Sequence, residues 1–341
     1  MLLNGGGERE NYRARRCWSS GQATQRPELA WLGTESNQFG TDEFMQWLSA
    51  LGGGKKERVE PYICLNMGTG TLDEALAWVE YCNGTKDTYY ANLRRQNGHD
   101  GAVEQMTKEN YARRGAVGKG APPARSKPVP DPLRRDGPHL MRDHHVLKEC
   151  VSVVDMHSIH IYTASPKHLP NVTAPLSAER AIQTAAALID IARIENNVPP
   201  TKPQTTICFD EWNVWDPERA PGDKGAEEKY TLSDALAVAV WLNVFVRQSK
   251  YIGMANIAQT VNVISPLMTS RDGIVKQTTW WPLLLFSRFM RGWTVAAHVS
   301  CGSWSGGDEP GLAAGRIAGT GRRGWTSALW WTTRASSMWR W

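Results

Sequence analysis

The sequence predicts an α/β fold built on part of a (β/α)8 barrel, for three reasons. Short, near-continuous apolar segments alternate with helical ones between Val151 and Arg291, as in a parallel sheet covered by helices on both faces. Polar side chains collect where the predicted strands end, which is the edge where such barrels build active sites. The length of 341 residues is sufficient for one domain of this architecture.

The elements of this segment are predicted from their apolar patterns. The predicted strands are Val153–Tyr162, Thr205–Val214 and Gly253–Ile264. The predicted helices are Ser177–Glu195, with Ser177 as its N-cap, and Tyr230–Gln248. Strands separated by helices of this length predict a parallel sheet with helical crossovers.

A shorter globular segment precedes this one, from Arg26 to Asn97. It contains a predicted strand, Glu60–Asn66, followed by a glycine-rich turn. The next helix is predicted to begin at a capping box formed by Thr71 and Glu74. The turn lacks the GxGxxG spacing of a dinucleotide-binding loop, so no nucleotide cofactor is expected.

Composition and charge exclude several classes of function. The 39 basic and 34 acidic residues give a net charge of +5, too small to indicate a nucleic-acid partner. The longest apolar run, Ala235–Val246, is far shorter than the ~20 residues of a membrane span. The six cysteines show no metal-ligand spacing, so neither a metal nor any other cofactor is expected. No signal peptide is visible, and the compartment, secreted or cytoplasmic, stays open.

Two stretches lack the composition and the apolar periodicity of a folded domain. Residues 113–142 are rich in Arg, Pro, Gly and Ala and have no periodicity. Residues 300–341 combine many tryptophans with glycine and arginine, also without alternation. A basic nucleic-acid-binding arm is one interpretation of the first stretch, but it has no interleaved aromatic residues for base stacking.

The strongest chemical signal is the acidic pair Asp210–Glu211 at the end of a predicted strand. Because side chains alternate along a strand, we expect only one of the two carboxylates to face the barrel mouth. Trp215 and several amide side chains are expected around it, and aromatic rings with amides suit the binding of sugars. The alternative is that Glu211 only caps a loop.

Six runs of the sequence match one known family. They are ESNQFGTDEFM, EPYICLNMGTGTLDEALAWVEYCNG, DMHSIH, ICFDEWNVWDP, KGAEEKYTLSDALAVAVWLNVFVRQSKY and VNVISPLM. In these runs the sequence resembles the fungal-type α-L-arabinofuranosidases of glycoside hydrolase family 51, and the resemblance covers about two thirds of the chain.

The resemblance implies a (β/α)8 barrel followed by a β-sandwich. It also implies retaining hydrolysis of terminal α-L-arabinofuranosyl residues from arabinan or arabinoxylan, by two carboxylates about 5 Å apart. The nucleophile of the family corresponds to Glu211. The residues that it implies for substrate binding are Asn66, Tyr162, Trp212, Asn213 and Gln259.

The chain departs from the family at the second carboxylate. The family's acid/base Glu lies in a Gly-Asn-Glu motif just before the run that appears here as Val103–Thr107, and that motif occurs nowhere in this chain. Glu104 is the nearest carboxylate, but it belongs to the following helix and is not a substitute. Impaired catalysis is therefore expected. The alternatives are a non-catalytic arabinan-binding pseudoenzyme and a non-functional relic of a gene model.

Shifted reading frames explain the two irregular stretches. Gly120–Met141 can be back-translated into codons that, when translated from the second base, encode ALRLLDPSLSLILCGETGRTSW, a sequence with a strand pattern. Arg323–Arg340 also has a shifted frame with a strand pattern. We therefore expect an unmatched segment at residues 1–25, a partial barrel at 26–295 and an aberrant tail at 296–341. The β-sandwich is expected to be largely missing, and a half barrel leaves strand edges unpaired.

Overall fold

The computed structural model describes most of the chain between residues 38 and 295. It also describes short strands before residue 38 and after residue 295. The described residues are 2–4, 26–28, 33–35, 38–52, 59–65, 71–99, 140–216, 227–295, 303–304, 322–323 and 330–331. Almost all of the irregular stretch at 113–142 lies outside them. The chain divides into two compact units, Met1–Gly118 with Arg340–Trp341, and Lys119–Trp339. The two units are considered separately.

Among its described residues, the first unit has three helices and four short strands. The helices are α1 (Thr41–Gly52), α2 (Leu72–Asn83) and α3 (Tyr89–Gln96). The strands are β1 (Leu2–Asn4), β2 (Arg26–Glu28), β3 (Gly33–Glu35) and β4 (Tyr62–Cys64). β1 pairs in parallel with β4, and β2 pairs antiparallel with β3. The predicted capping box is confirmed, since the Glu74 N–H donates to Thr71 Oγ1 at 3.2 Å and the Thr71 N–H donates to Glu74 Oε2 at 2.8 Å.

A buried polar network joins the helices of the first unit. The Tyr81 hydroxyl donates to Asp42 Oδ1 at 2.7 Å, and Asn97 Nδ2 donates to Asp42 Oδ2 at 3.1 Å. The Arg94 guanidinium donates to the carbonyl of Tyr81 in α2 at 2.6 Å and to that of Gly84, just after α2, at 2.9 Å. Burial raises the pKa of Asp42 despite these hydrogen bonds.

The second unit is built on a parallel sheet. Its strands are β5 (Met156–Thr163), β6 (Thr206–Val214) and β7 (Ile252–Ile257), paired in that order, so the predicted parallel sheet is confirmed. The helices are α4 (Leu140–Cys150), α5 (His168–Thr173), α6 (Ser177–Glu195), α7 (Leu232–Arg247) and α8 (Trp280–Phe289). None of the helices among the described residues is both long and apolar enough to cross a lipid bilayer.

Short antiparallel pairs follow the sheet. They are β8 (Leu267–Ser270) with β9 (Gly273–Lys276), β10 (Trp293–Thr294) with β13 (Trp330–Trp331), and β11 (Ser303–Trp304) with β12 (Arg322–Arg323).

The three parallel strands β5, β6 and β7 and their helices form a segment of an α/β barrel. This is the arrangement expected for an incomplete barrel.

Element ends differ from the prediction where local hydrogen bonds decide them. Helix α6 has the predicted bounds, but Ser177 is not its N-cap, because a 3-10 turn at Ala174–Leu176 runs directly into it. The Ser177 hydroxyl instead donates to the Ala174 carbonyl at 2.8 Å. Helix α7 begins later than predicted because Thr231 and Asp234 form a capping box at its start.

Helix α7 packs on the sheet through aromatic side chains. Trp241 and Phe245 lie against Phe209 and Trp212 of β6, with ring centroids 5.1 to 5.6 Å apart. The indole N–H of Trp241 donates to Thr163 Oγ1 of β5 at 3.2 Å. Burying rings of this size dominates the energetics of a core, and edge-on contacts add to it. The cluster therefore fixes α7 against both strands.

We predict that Asp234→Ala lowers the free energy of unfolding of the second unit by about 3 kcal/mol. Asp234 is fully buried, accepts from the Thr231 N–H at 2.7 Å and accepts from Asn171 Nδ2 at 2.8 Å. Urea unfolding followed by circular dichroism measures the change. The control is Asp272→Ala on an exposed turn, where a change within about 0.5 kcal/mol is expected. Equal midpoints for the two variants would contradict the prediction.

We also predict that, among the four cysteines that the structure describes, Cys64 reacts first with an alkylating reagent in the native protein. Cys64 is exposed, whereas Cys82, Cys150 and Cys208 are buried. Burial raises the pKa of the Cys82 thiol to about 12, and it also raises the pKa of Cys150. Peptide mapping by mass spectrometry should find Cys64 modified first at neutral pH and the other three only after urea is added. Equally fast labelling of Cys82 would show that α2 is not packed as described.

Candidate active site

Strand β6 carries a β-bulge at the acidic pair. Ser158 of β5 pairs with Cys208 of β6, but His160 pairs with Glu211. The single residue Ile159 therefore lies opposite two residues of β6. A bulge of this kind inserts one residue into a strand and changes the side to which the following side chains point.

The bulge places Phe209 and Trp212 on the same side of the sheet. Both rings contact Phe245 of α7, with centroids 5.2 Å and 5.1 Å away. Regular alternation would send these two residues to opposite faces. Asp210 and Glu211, which lie between them, are only partly buried.

Both carboxylates contact the same imidazole. His160 Nε2 lies 3.1 Å from Asp210 Oδ1, and His160 Nδ1 lies 3.5 Å from Glu211 Oε2. The Ser158 hydroxyl also donates to Asp210 Oδ1, at 2.6 Å. The expectation that only one of the two carboxylates reaches the mouth is therefore wrong, because it assumed a regular strand.

Glu211 is held by a tyrosine and remains accessible. The Tyr162 hydroxyl donates to Glu211 Oε2 at 2.8 Å. The Tyr162 ring lies edge-on to Trp215, with centroids 5.4 Å apart. The Glu211 side chain is 32% exposed, so a ligand can reach it. The interpretation of Glu211 as a simple loop cap does not fit these contacts.

Trp212 and Asn213 lie behind the acidic pair rather than beside it. Both are fully buried. Trp212 belongs to the aromatic cluster on α7, and Asn213 Nδ2 donates to the backbone carbonyls of Ala258 at 2.7 Å and Ile264 at 2.5 Å. Neither side chain faces solvent. In this arrangement neither of them can contact a bound sugar directly.

Of the remaining predicted site residues, the structure describes Gln259 but not Asn66. Gln259 is exposed and lies two residues after the end of β7. Asn66 lies outside the described residues, as do Glu104 and the run that follows Asp100. The structure thus brings Tyr162 and Glu211 together, next to His160.

Comparisons with known proteins decide the family. The family model for the α-L-arabinofuranosidase C-terminal domain matches residues 210–330, a stretch that includes part of the predicted aberrant tail. A probable α-L-arabinofuranosidase C of Aspergillus fumigatus is 57% identical over 88% of this chain. One of Aspergillus niger is 60% identical over 84% of it. These matches identify the chain as a relative of the α-L-arabinofuranosidases of glycoside hydrolase family 51.

The chain is shorter than the members of this family that it matches. It spans 65% of the length of the Aspergillus fumigatus relative and 61% of that from Aspergillus niger. A solved α-L-arabinofuranosidase of Thermotoga maritima, in complex with arabinose, has 29% identity and a TM-score of 0.67. That match covers 89% of this chain and 64% of the solved one. The resemblance and the incomplete barrel fold are thereby confirmed.

Sequence reasoning missed the shared contact of Asp210 and Glu211 with His160. The missed signal lies in the strand itself, where two acidic residues stand between the large aromatics Phe209 and Trp212. Two aromatic residues three positions apart can reach one core only if the strand takes an extra residue.

Proposed function

We propose that this chain carries the nucleophilic half of a retaining α-L-arabinofuranosidase site, with Glu211 as the nucleophile. The supporting observation is the position of its carboxylate. It lies near the carboxyl end of a parallel strand, it is accessible, and the Tyr162 hydroxyl holds one of its oxygens at 2.8 Å. The proposed substrate is a terminal α-L-arabinofuranosyl residue of arabinan or arabinoxylan.

The proposed reaction begins with attack of Glu211 on the anomeric carbon. The hydrogen bond from Tyr162 occupies Oε2 and leaves Oε1 to form the ester, while the bond from the anomeric carbon to the leaving oxygen breaks. Water then hydrolyses the ester from the same face that the leaving group occupied. Two inversions give net retention of configuration.

The step that this chain lacks is protonation of the leaving oxygen. No Gly-Asn-Glu motif is present to supply the family's acid/base carboxylate. A sugar leaves as a poor alkoxide unless it is protonated, and losing a general acid costs about 10²-fold or more in rate. A phenolate with electron-withdrawing groups leaves without that help. We therefore propose slow or undetectable turnover of arabinan and faster reaction with activated aryl arabinofuranosides.

We predict that 2,4-dinitrophenyl α-L-arabinofuranoside esterifies Glu211 and that the ester accumulates. Formation of the ester needs no proton donor, whereas its hydrolysis is slow without a general base to activate water. Peptide mass spectrometry should find one pentosyl unit on the peptide containing Glu211. Added azide, which needs no activation, should speed its release as an arabinosyl azide of retained configuration.

The matched control for this experiment is Glu211→Gln, which keeps the size of the side chain and should not be labelled. Labelling of another residue would contradict the assignment of the nucleophile. Turnover of arabinan at a rate similar to that of activated substrates would contradict the absence of a proton donor.

We further predict that Tyr162→Phe slows the labelling of Glu211 by about tenfold, because small displacements of a reacting group are costly. The substitution removes only the hydroxyl that fixes Glu211 Oε2 and leaves the ring against Trp215. The control is Tyr251→Phe in the same unit, whose ring lies 4.5 Å from Lys250 Nζ instead. An unchanged labelling rate in Tyr162→Phe would mean that this hydrogen bond does not position the nucleophile.

A non-catalytic arabinan-binding role is the second candidate. It is favoured by the aromatic pair of Tyr162 and Trp215, which stays beside Glu211 although the chain lacks the family's Gly-Asn-Glu motif. Such a protein would show a melting temperature raised by arabino-oligosaccharides and no ester on Glu211 with the activated donor. An ester on Glu211 would instead favour the first candidate.

A further inference from the structure

We infer that Asn213 is a positioning residue that fixes the loop carrying Gln259 and thereby sets the affinity of the arabinose subsite. The inference rests on the proposed function of the Glu211 site. It concerns the loop from Ala258 to Ile264, named here the Gln259 loop, which begins directly after β7.

The Asn213 side chain is committed entirely to backbone groups. Its amide nitrogen donates to the Ala258 carbonyl at 2.7 Å and to the Ile264 carbonyl at 2.5 Å. Its oxygen accepts from the Val214 N–H at 2.8 Å. The residue is fully buried, so loss of the amide would leave two carbonyls without these donors in a place that water does not reach.

The two carbonyls are the first and the last of the Gln259 loop. One side chain thus ties both ends of the loop to β6, the strand that carries Glu211. The Ala258 N–H also donates to the Trp212 carbonyl at 3.2 Å. Gln259, the next residue, is exposed, as are Thr260 and Val261 after it.

The backbone of this loop needs an external restraint. Asn262 has φ 64° and Ile264 has φ 35°, both in the left-handed region. A β-branched residue such as isoleucine is unfavourable there, and such conformations persist only when surrounding contacts enforce them. The hydrogen bond from Asn213 to the Ile264 carbonyl is a contact of this kind.

The chain beyond the loop is held separately. Gln277 Nε2 donates to the Ser265 carbonyl at 2.8 Å and to the Glu228 carbonyl at 3.0 Å. The N–H of Tyr230 donates to Gln277 Oε1 at 3.0 Å. Removing the Asn213 amide therefore releases the carbonyls at the two ends of the Gln259 loop. Asn262 keeps its hydrogen bonds with Leu267 and Thr269, and the segment from Ser265 onward keeps its own anchors.

A double-mutant cycle on Glu211 labelling tests the inference. Asn213→Ser, Gln259→Ala and the double variant are reacted with 2,4-dinitrophenyl α-L-arabinofuranoside at several concentrations. We expect Asn213→Ser to raise the half-saturating concentration about tenfold, with the maximal labelling rate changed less than about twofold. In the Gln259→Ala background the same substitution should have almost no further effect, because both act through one contact.

The control for general destabilisation is Asn171→Ser. Asn171 is also buried and donates to Asp234 Oδ1 at 2.8 Å, but it does not contact the Gln259 loop. It should lower the melting temperature without coupling to Gln259. Independent, additive effects of Asn213→Ser and Gln259→Ala would overturn the inference. A silent Gln259→Ala with Glu211 still labelled would overturn it too, while leaving the nucleophile in place.

Hydrogen exchange provides a readout that does not depend on labelling. Peptides covering residues 258–264 should exchange at least about tenfold faster in Asn213→Ser than in the unchanged chain or in Asn171→Ser. If Asn213→Ser does not fold, Asn213→Thr serves instead, since it fills more of the volume and its hydroxyl can accept from the Val214 N–H. Unchanged exchange in this loop would overturn the inference even if Glu211 were never labelled.

Discussion

Phe209 and Trp212 both pack against Trp241 and Phe245, and β6 can satisfy both contacts only by taking an extra residue between them. Burying each of these rings is worth about 1.5–3 kcal/mol or more. In a regular strand one ring would leave the core and a carboxylate would enter it, at a cost of several kcal/mol unless it were paired. The bulge avoids both losses, and the acidic pair on the accessible side is its consequence.

Strand β5 matches this arrangement with ordinary alternation. Ser158, His160 and Tyr162 are two residues apart, so they share one face of β5. Each contacts at least one of the two carboxylates, since Ser158 donates to Asp210, Tyr162 donates to Glu211, and His160 lies against both. A regular strand beside a bulged one thus brings three polar side chains into contact with two consecutive carboxylates. The position of the Glu211 carboxylate derives from this pairing of strands.

The parts that sequence could predict are those that local pattern determines. The strands around Tyr162 and Glu211, their parallel order and the bounds of α6 follow from apolar periodicity and length. The bulge could not be predicted from alternation, because it depends on where α7 packs. The burial of Asn213 could not be predicted either, since its partners, the carbonyls of the Gln259 loop, lie about fifty residues further along the chain. The role of Asn66 stays a prediction.

The contacts that fix Glu211 explain how the proposed nucleophile could outlast its catalytic partner. Tyr162 and His160 lie on β5, directly beside Glu211 on β6, and both strands are stabilised by the core under α7. The resemblance places the family's acid/base carboxylate in a different stretch, just before Val103, where residues 100–103 lie outside the described part of the chain. Loss of the Gly-Asn-Glu motif would remove proton donation without removing the contacts that β5 makes with Glu211. On the proposed mechanism, catalysis in such a chain is limited by the leaving group, because the remaining half of the site can form the ester only with an oxygen that departs unprotonated.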